Sequence, residues 1–335
     1  MSAGSKTTDR DLGADWRPGA GLPALRARAD MLAVLRRYFA AAGVMEVETP
    51  LAATACGTDP SLQPLRTRYA GPIFPDGTSL YLQTSPEFAM KRLLAAGSGP
   101  IYQICKAFRD GEAGRLHNPE FSMLEWYRPG YGPDRLIDEI AEVVRLALDR
   151  ADLAIERRAY AELFATELGV DVYASEPKQL RQLALGHHVL GAEAMELERD
   201  AWLDLLLSHL IQPTLGHDTL LFLTDYPASQ SALARLNADG RSAARFELFH
   251  QGIELGNGFH ELTDAEEQAA RFEADNCERR RRRLPAVRVD RRLLAAMEHG
   301  LPDCSGIALG LDRLLMLRLD AADIDSVIGF SLQRS

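Results

Sequence analysis

The chain has 335 residues, 46% of them hydrophobic and 26% charged, which is typical of a globular protein. The net charge of -10 and the isoelectric point of about 5.4 argue against a protein whose main task is to wrap nucleic acid. The four cysteines form no CxxC pair, which argues against a zinc ribbon or a disulfide framework and fits a reducing cytoplasm. The sequence contains neither a signal peptide nor an apolar stretch of about 20 residues that could span a membrane.

The first half of the chain predicts a tail, a helix and a hairpin. Residues 1–22 are polar and glycine-rich, so we expect a flexible tail before one folded domain over 23–335. Apolar residues at helical spacing predict a helix over 25–42. Strands are predicted, in chain order, over 44–49, 79–84, 100–108 and 121–127. The last two strands are joined by a polar loop over 109–118, which is typical of an antiparallel hairpin.

The second half of the chain alternates between helices and strands. Helices are predicted over 134–150, over most of 156–210 and over 264–283, and a final helix over 311–319. Strands are predicted over 220–224, over 246–255 before a Gly256-Asn257-Gly258 turn, and over 306–309. Grouped strands with antiparallel connections indicate the α+β class. Both common nucleotide-binding fingerprints, GxxxxGK[ST] and GxGxxG after a strand, are absent, so any ATP is bound in another way.

An arginine run, Arg279 to Arg283, stands out against the acidic composition. One interpretation is a solvated helix end followed by a loop. The other is a docking surface for an acidic partner, either RNA or protein. The sequence alone leaves both open.

The predicted hairpin carries groups suited to phosphate and ammonium recognition. Arg109 lies at its lip, where a guanidinium group can hold a phosphate with two hydrogen bonds. Glu125 and Tyr127 are two residues apart, so both project from one face of a strand. A buried carboxylate beside a phenol is suited to an ammonium group. The alternative is that Glu125 pairs with a structural arginine.

Two further segments have possible chemistry. Glu254 and Glu261 flank the predicted glycine turn, and paired carboxylates are good ligands for Mg²⁺ bound with a triphosphate. Two surface glutamates are the alternative. In the segment 306–313, GIALGLDR, small residues allow a ligand to approach the backbone. Arg313 lies at the start of a helix, where both the helix terminus and the guanidinium group favour phosphate.

Taken in order, these features resemble a known family. The helix and strand ending at Pro50, the hairpin with Arg109, and the strand and helix with Gly310 and Arg313 resemble motifs 1, 2 and 3 of class II aminoacyl-tRNA synthetases. The segments TSPE (84–87), HNPEF (117–121), ELGNGFHEL (254–262) and GIALGLDR are most similar to lysyl-tRNA synthetases. The resemblance covers residues 24–335 and implies an antiparallel sheet flanked by helices, with ATP and Mg²⁺ as cofactors.

Within this class the chain is most similar to lysyl-tRNA synthetase paralogues that attach (R)-β-lysine to elongation factor P. Motif 1 begins near residue 25, so we expect no anticodon-binding domain before it. The segments SMLEWYRPGY (122–131), PASQ (227–230) and LPDCSG (301–306) are similar to the paralogues. Ala308 also replaces a glycine that is usual in lysyl-tRNA synthetases. One methyl group in a pocket is worth about 1–3 kcal/mol of discrimination, which suits a β-amino acid.

The resemblance implies roles for particular residues. The expected contacts to the lysine-like substrate are Ser85, Pro86, Glu87, Glu125, Tyr127, Glu261 and Ala308. The expected contacts to ATP are Arg109, Asp110, Gly111, Asn118, Glu254, Leu255, Gly310 and Arg313. Arg109 and Arg313 are the expected catalytic residues, and Glu254 and Glu261 the expected metal ligands. The attacking carboxylate is ionised at neutral pH, so catalysis needs positioning and charge neutralisation rather than a general base.

The implied reaction activates (R)-β-lysine, or lysine, as an adenylate and transfers it to a lysine ε-amine of elongation factor P. We expect a cytoplasmic homodimer with motif 1 at its interface, no membrane association, and no main role for tRNA because of the acidic charge balance. Two alternatives stay open. The first is a truncated lysyl-tRNA synthetase-like enzyme that charges tRNA, and the second is a catalytically silent regulatory paralogue.

Motif 2 departs from the family pattern. The usual Arg-Asn-Glu is here Arg109-Asp110-Gly111, followed by Glu112. The carboxylate that normally addresses adenine is therefore missing at its usual position. Either Glu112 replaces it, or backbone groups of Asp110 and Gly111 do.

Overall fold

An eight-stranded sheet forms the centre of the region that the computed structural model describes, residues 16–335. Its strands, in spatial order, are β1 (Met45–Glu46), β5 (Ile101–Phe108), β6 (Glu120–Pro129), β11 (Cys304–Gly310), β10 (Ile253–His260), β9 (Ser242–His250), β8 (Thr219–Pro227) and β7 (Ala154–Ala159). Neighbouring strands are antiparallel except in the two edge pairs, β1 with β5 and β8 with β7. The predicted α+β class with an antiparallel sheet is confirmed.

A small sheet and a set of helices surround the large sheet. The small sheet has the order β2 (Ala52–Ala53), β4 (Thr78–Leu82), β3 (Arg66–Tyr69). The helices are α1 (Leu22–Ala41), α2 (Glu87–Ala95), α3 (Pro133–Leu148), α4 (Tyr160–Leu168), α5 (Pro177–Gly186), α6 (Arg199–Leu206), α7 (Ala265–Arg281), α8 (Arg291–Gly300) and α9 (Leu311–Arg318). No helix within residues 16–335 is both long and apolar enough to cross a membrane.

Helices α1, α3 and α9 cover one face of the large sheet. Helix α3 starts with Pro133 at its first turn and buries Leu136, Ile140 and Val143, which recur every three or four residues on one side. In α1, the Phe39 ring stacks on Tyr102 of β5 with 4.3 Å between ring centroids. This apolar face buries alternate residues of the central strands. The intervening residues, which include Glu125 and Tyr127, therefore face the opposite side of the sheet.

A second apolar core lies under the β7–β8 edge of the sheet. Trp202 of α6 and Phe164 of α4 are fully buried there together with Tyr160. The prediction that helix begins at residue 156 is wrong, because residues 154–159 form the edge strand β7. Its charged side chains obscured the strand pattern, and charges are tolerated on an edge strand because one side of it faces solvent.

The predicted Gly256-Asn257-Gly258 turn is also wrong. These residues lie inside β10, and the actual turn is at Gln251 and Gly252, both with positive φ. Glycine is required at 256 and 258 by close packing rather than by a turn. A Cβ atom on Gly256 would lie 2.7 Å from the Ala308 carbonyl oxygen, and one on Gly258 2.9 Å from the Gly306 oxygen.

The remaining predicted elements occur with shifted ends, and some elements were missed. The predicted strand over 44–49 is only the two-residue β1, whereas the predicted hairpin strands and helices α1, α3, α7 and α9 are present. Short strands β2 and β3 and helices α2 and α8 were not predicted. Helix α2 directly follows Pro86, which is its N-cap residue.

Two predictions concern the ends of the described region. The predicted tail over 1–22 lies mostly outside the described residues. Within the described part, the backbone N–H groups of Gly19 and Ala20 donate to the carbonyl oxygens of Gly329 and Ile328. These bonds attach the residues just before α1 to the C-terminal segment, and the domain boundary at 22 stays a prediction.

The arginine run is explained mainly by structural contacts. Arg279 is fully buried, and its guanidinium group donates to Asp59 O at 2.9 Å, Gln63 Oε1 at 2.8 Å and Pro285 O at 3.0 Å. Arg281 and Arg282 both pair with Glu278 on the preceding turn of α7. The structure therefore favours the solvated helix end over the docking surface.

Candidate active site

The sheet face opposite α1, α3 and α9 has a floor of small residues. Cross-strand pairing aligns Glu125, Ala308 and Asn257 in one row, and Tyr127 with Gly306 in the next. A Cβ atom on Gly306 would overlap the Tyr127 ring and lie 3.0 Å from Glu261 Oε1. The absence of a side chain at Gly306 therefore lets the Tyr127 ring and the Glu261 carboxylate pack directly against the backbone.

An open cavity lies over one end of this floor. Its polar lining residues are Arg109, Glu112, His117, Asn118, Glu254, Asn257, Asp312 and Arg313. Arg109 reaches it from the end of β5, with its guanidinium group 5.0 Å above the Phe121 ring and 3.5 Å from Glu112 Oε1. The Nε atom of Arg109 is buried without a hydrogen-bond partner. A half-buried guanidinium group with an unused donor is suited to receive an anionic ligand.

Arg313 is fixed beside this cavity by three contacts to Glu254 and His117. It donates to the backbone oxygen of Glu254 at 2.8 Å and to His117 Nε2 at 2.7 Å, and it lies 3.7 Å from Glu254 Oε2. Burial and then the Arg313 guanidinium group lower the pKa of His117, so that ring stays neutral and accepts the hydrogen bond. The predicted neighbours Arg109, Glu254 and Arg313 are thus brought together in one cavity.

The motif 2 departure is visible in the loop after Arg109. Gly111 has a φ of 82°, and Asp110 donates its backbone N–H to Gln63 O at 2.7 Å. Neither Asp110 nor Gly111 is among the lining residues, whereas Glu112 is. Of the two alternatives for the adenine contact, the geometry favours the Glu112 carboxylate.

Other predicted ATP residues have structural contacts. The Asn118 amide donates to Glu120 O at 2.6 Å, and its oxygen accepts from the backbone N–H of Leu332 at 3.1 Å. Gly310 lines the cavity as the N-cap residue of α9. Leu255 lies at the β-bulge of β10 and packs into the core, so only its backbone is suited to contact a nucleotide.

A buried acidic pocket lies beside the cavity, on the far side of Ala308. Glu125 accepts hydrogen bonds from Ser85 Oγ and from the Tyr127 hydroxyl, both at 2.7 Å. Burial, and after it the negative charge of Glu87, raise the pKa of Glu125 to about 8. The predicted residues Ser85, Glu125 and Tyr127 therefore form one cluster, and Glu125 does not pair with a structural arginine.

Lys91 connects two further carboxylates in this pocket, and it was missed in the sequence. Its Nζ atom lies 2.6 Å from both Glu87 Oε1 and Glu261 Oε2, with 1% of its side chain exposed. Burial lowers the pKa of Lys91, but Glu261 and Glu87 together hold it above its ordinary value. The spacing of four residues between Glu87 and Lys91 on α2 was the available signal. Pro86 lies at the start of this helix and orients it.

The structure places Glu254 and Glu261 too far apart to bind the same metal ion. Because no turn separates them, they are seven residues apart along an extended strand, roughly 20 Å. Glu254 borders the open cavity, whereas Glu261 is in the buried pocket with Lys91. Residues 16–335 contain no group of three or more His, Cys, Asp or Glu side chains arranged to hold a metal by themselves.

Comparison with known proteins identifies the family. Residues 15–334 match the family model described as "tRNA synthetases class II (D, K and N)". The chain belongs to the class II tRNA synthetases. It is 47% identical over 323 residues to a protein of Klebsiella pneumoniae (strain 342) named "Elongation factor P--(R)-beta-lysine ligase", covering 96% of this chain and 99% of the relative. A Yersinia enterocolitica protein of the same name is 48% identical with the same coverage.

Membership of the class II synthetases confirms the resemblance and shows that the chain is a ligase-type enzyme. For an enzyme of this family, the charge balance of the acidic pocket indicates the charge of the ligand that it binds. Within the described chain, the ammonium group of Lys91 pairs with Glu87 and Glu261, while Glu125 contacts only hydroxyl groups, so three carboxylates share one cation. Arg235 lies near Glu261 but pairs with Asp303. Buried carboxylates without cations are costly and favour a positively charged ligand.

Proposed function

We propose that the chain activates (R)-β-lysine, or lysine, with ATP and transfers it to a lysine ε-amine of elongation factor P. The observation that carries this proposal is the acidic pocket, in which three carboxylates share the single cation of Lys91. A lysine-like amino acid has two ammonium groups at neutral pH and can compensate the two excess negative charges. The adjoining cavity offers the guanidinium groups of Arg109 and Arg313, which suit the phosphates of a nucleoside triphosphate.

In the first step the substrate carboxylate attacks the α-phosphorus atom of ATP. A carboxyl–phosphate bond forms, the bond to pyrophosphate breaks, and pyrophosphate leaves with the electron pair. Arg109 neutralises charge on the α-phosphate, and Arg313 binds the outgoing phosphates. The buried pocket fixes the ammonium groups, so the carboxylate is held beside Ala308 at the entrance to the cavity.

In the second step an uncharged lysine ε-amine attacks the carbonyl carbon of the adenylate. An amide bond forms, AMP leaves, and the amine loses a proton to solvent. The acceptor is proposed from the relatives' printed name, "Elongation factor P--(R)-beta-lysine ligase". The domain over 23–335, a homodimer and a cytoplasmic location belong to the same proposal.

Glu254 is the residue best suited to hold Mg²⁺ with the triphosphate. Its carboxylate borders the cavity, is 38% exposed and is 3.7 Å from Arg313, so an oxygen is available to a hard cation. Mg²⁺ supplies positive charge beside the phosphate oxygens. Glu261 does not fit this role, because Lys91 already occupies its carboxylate.

The test is ATP–pyrophosphate exchange with (R)-β-lysine and with α-lysine, followed by transfer of the labelled amino acid to purified elongation factor P or to tRNA. We expect exchange with a lysine isomer and transfer to the protein. Transfer to tRNA alone would support the truncated synthetase instead. Absence of exchange with both isomers would support the silent paralogue.

A further inference from the structure

Arg245 of β9 is a largely buried cation on the same sheet face as the proposed site. Its Nη2 atom donates to Glu247 Oε1 at 2.5 Å, and its Nη1 atom donates to Gln230 O at 2.7 Å. The guanidinium carbon lies 4.3 Å from the centroid of the Tyr226 ring. Arg245 is thus held by partners on three sides. The proposed reaction gives it no role.

The Nε donor of Arg245 points at Asn257. Its Nε atom donates to Asn257 Oδ1 at 3.3 Å, and Asn257 lines the cavity beside Ala308. A guanidinium group can only donate, so this bond requires the amide oxygen of Asn257 to face Arg245. The amide NH₂ group must then point away from Arg245. It has no acceptor among residues 16–335.

We propose that Arg245 is a positioning residue that fixes the Asn257 amide with its NH₂ group towards the carboxylate of the bound amino acid. This inference rests on the proposed function. The ammonium groups of the substrate belong to the acidic pocket and the phosphates to the Arg109 end, and Asn257 lies in the row between them, across from Glu125 and Ala308. A donor at this point holds the carboxylate while it attacks phosphorus.

The surroundings of Arg245 explain why this position needs an arginine. The Tyr226 hydroxyl donates to Glu247 Oε2 at 2.5 Å, so Glu247 is fixed from the side opposite Arg245. A planar group with several donors can satisfy Glu247, the Gln230 carbonyl and Asn257 at once. A lysine ammonium group at the end of a flexible chain cannot hold all three in one geometry.

The test is a double-mutant cycle of Arg245→Met and Asn257→Ala in the amino-acid-dependent pyrophosphate exchange assay. Each single variant should lower kcat/KM for the preferred lysine isomer by about tenfold to a hundredfold, as expected for one hydrogen bond to a charged group. The KM for ATP should change by less than about threefold. If Arg245 acts through Asn257, the double variant should be no worse than Asn257→Ala alone.

A matched control is Arg241→Met. Arg241 also lies over a tyrosine ring, that of Tyr173 at 4.2 Å, but it is exposed and does not contact Asn257. It should leave the exchange kinetics unchanged. Arg245→Lys serves as a second variant if Arg245→Met does not fold, because it keeps a positive charge beside Glu247. It should show the same loss and the same dependence on Asn257.

Asn257→Asp separates stability from positioning. The carboxylate should pair with Arg245 and keep or raise the melting temperature, yet it lacks the NH₂ donor and repels the substrate carboxylate, so exchange should fall by at least about a hundredfold. Additive losses in the cycle, or full activity of Asn257→Asp, would overturn the inference while the wild type stays active. A wild-type protein inactive with both isomers would overturn the proposed function and this inference with it.

Discussion

The open cavity and the acidic pocket lie on one sheet face, on either side of Ala308, yet they differ in burial. In the cavity, the side chains of Arg109 and Glu254 are 24% and 38% exposed, whereas in the pocket Lys91 and Glu261 are each 1% exposed. Solvent stabilises charges in the cavity whether or not a ligand is bound. In the pocket, burial raises the pKa of Glu125, so the Glu125 carboxylate needs a bound cation to remain fully ionised.

The largest expected effect is at the cavity end. Arg109→Ala should lower ATP–pyrophosphate exchange by about a hundredfold to a thousandfold. The substitution removes the positive charge that stabilises the negative charge developing on the α-phosphate. The melting temperature should be nearly unchanged, since the Arg109 side chain has only a 3.5 Å ion pair with Glu112 and a ring contact.

The control for this change is Arg115→Ala in the same loop. Arg115 is exposed and donates only a 3.4 Å hydrogen bond to Ala322 O. Its exchange rate should remain near that of the wild type. Equal losses in both variants would mean that the whole loop, rather than the Arg109 charge, supports the reaction.

In the acidic pocket, Glu125→Gln should raise KM for the lysine substrate by about tenfold to a hundredfold, as expected when a charged hydrogen bond is lost. The KM for ATP should not change, because Glu125 does not line the cavity. Initial rates measured over a matrix of both substrate concentrations check the split. A parallel rise in both KM values would contradict the assignment of ATP to the open cavity and of the lysine substrate to the acidic pocket.

The same carboxylate predicts a pH dependence of stability. The pKa of Glu125 is about 8 in the folded protein and ordinarily 4.5, so between these values the folded state holds a proton that the unfolded state has released. Its contribution to stability is therefore largest below about pH 4.5 and is lost as pH rises through 8. The melting temperature of ligand-free wild type should fall between pH 6 and 8.5, and Glu125→Gln should flatten this fall. A bound lysine substrate should also reduce the fall in the melting temperature of the wild type.

Ala308 lies between the open cavity and the acidic pocket. Ala308→Gly should affect the selectivity between lysine isomers more than the rate of exchange. Removing the methyl group should shift preference towards α-lysine by about tenfold, within the range expected for one carbon atom in a pocket. The ratio of kcat/KM for α-lysine and (R)-β-lysine measures this change. An unchanged ratio would mean that Ala308 only fills space against Glu125 and Asn257.

The smallest expected effect concerns adenine. Glu112→Ala should raise KM for ATP by about threefold to tenfold, the loss of one hydrogen bond, because Glu112 lines the cavity. Asp110→Ala should have no effect, since its side chain is exposed and outside the lining. The reverse result would assign the adenine contact to the residues before Glu112.

Motif spacing predicted the cavity end well, because the relevant residues sit at the ends of strongly patterned elements. Arg109 directly follows β5, and Arg313 lies near the start of α9. The acidic pocket was predicted only in part. Glu125 and Tyr127 share a strand and follow its two-residue period, but Lys91 lies on a separate helix that reaches Glu261 only through the tertiary fold.

The β10 segment shows why glycines mislead sequence-based interpretation. Gly256 and Gly258 suggested a turn, and the paired glutamates around it suggested a metal site. In the fold these glycines are needed for close strand packing, which depends on Leu309, Ala308 and Phe246 of neighbouring strands. Such contacts between distant parts of the chain cannot be read from local spacing.

Close packing at three glycines also limits how this enzyme lineage can change its substrate by single mutations. Side chains at Gly256, Gly258 and Gly306 would overlap neighbouring atoms, so most variants at these positions should be removed by selection. Ala308 already has a Cβ atom on the sheet face of the site, in the row with Glu125 and Asn257. It is therefore an accessible evolutionary step between related amino acids, since one atom can be gained or lost there without rebuilding the sheet.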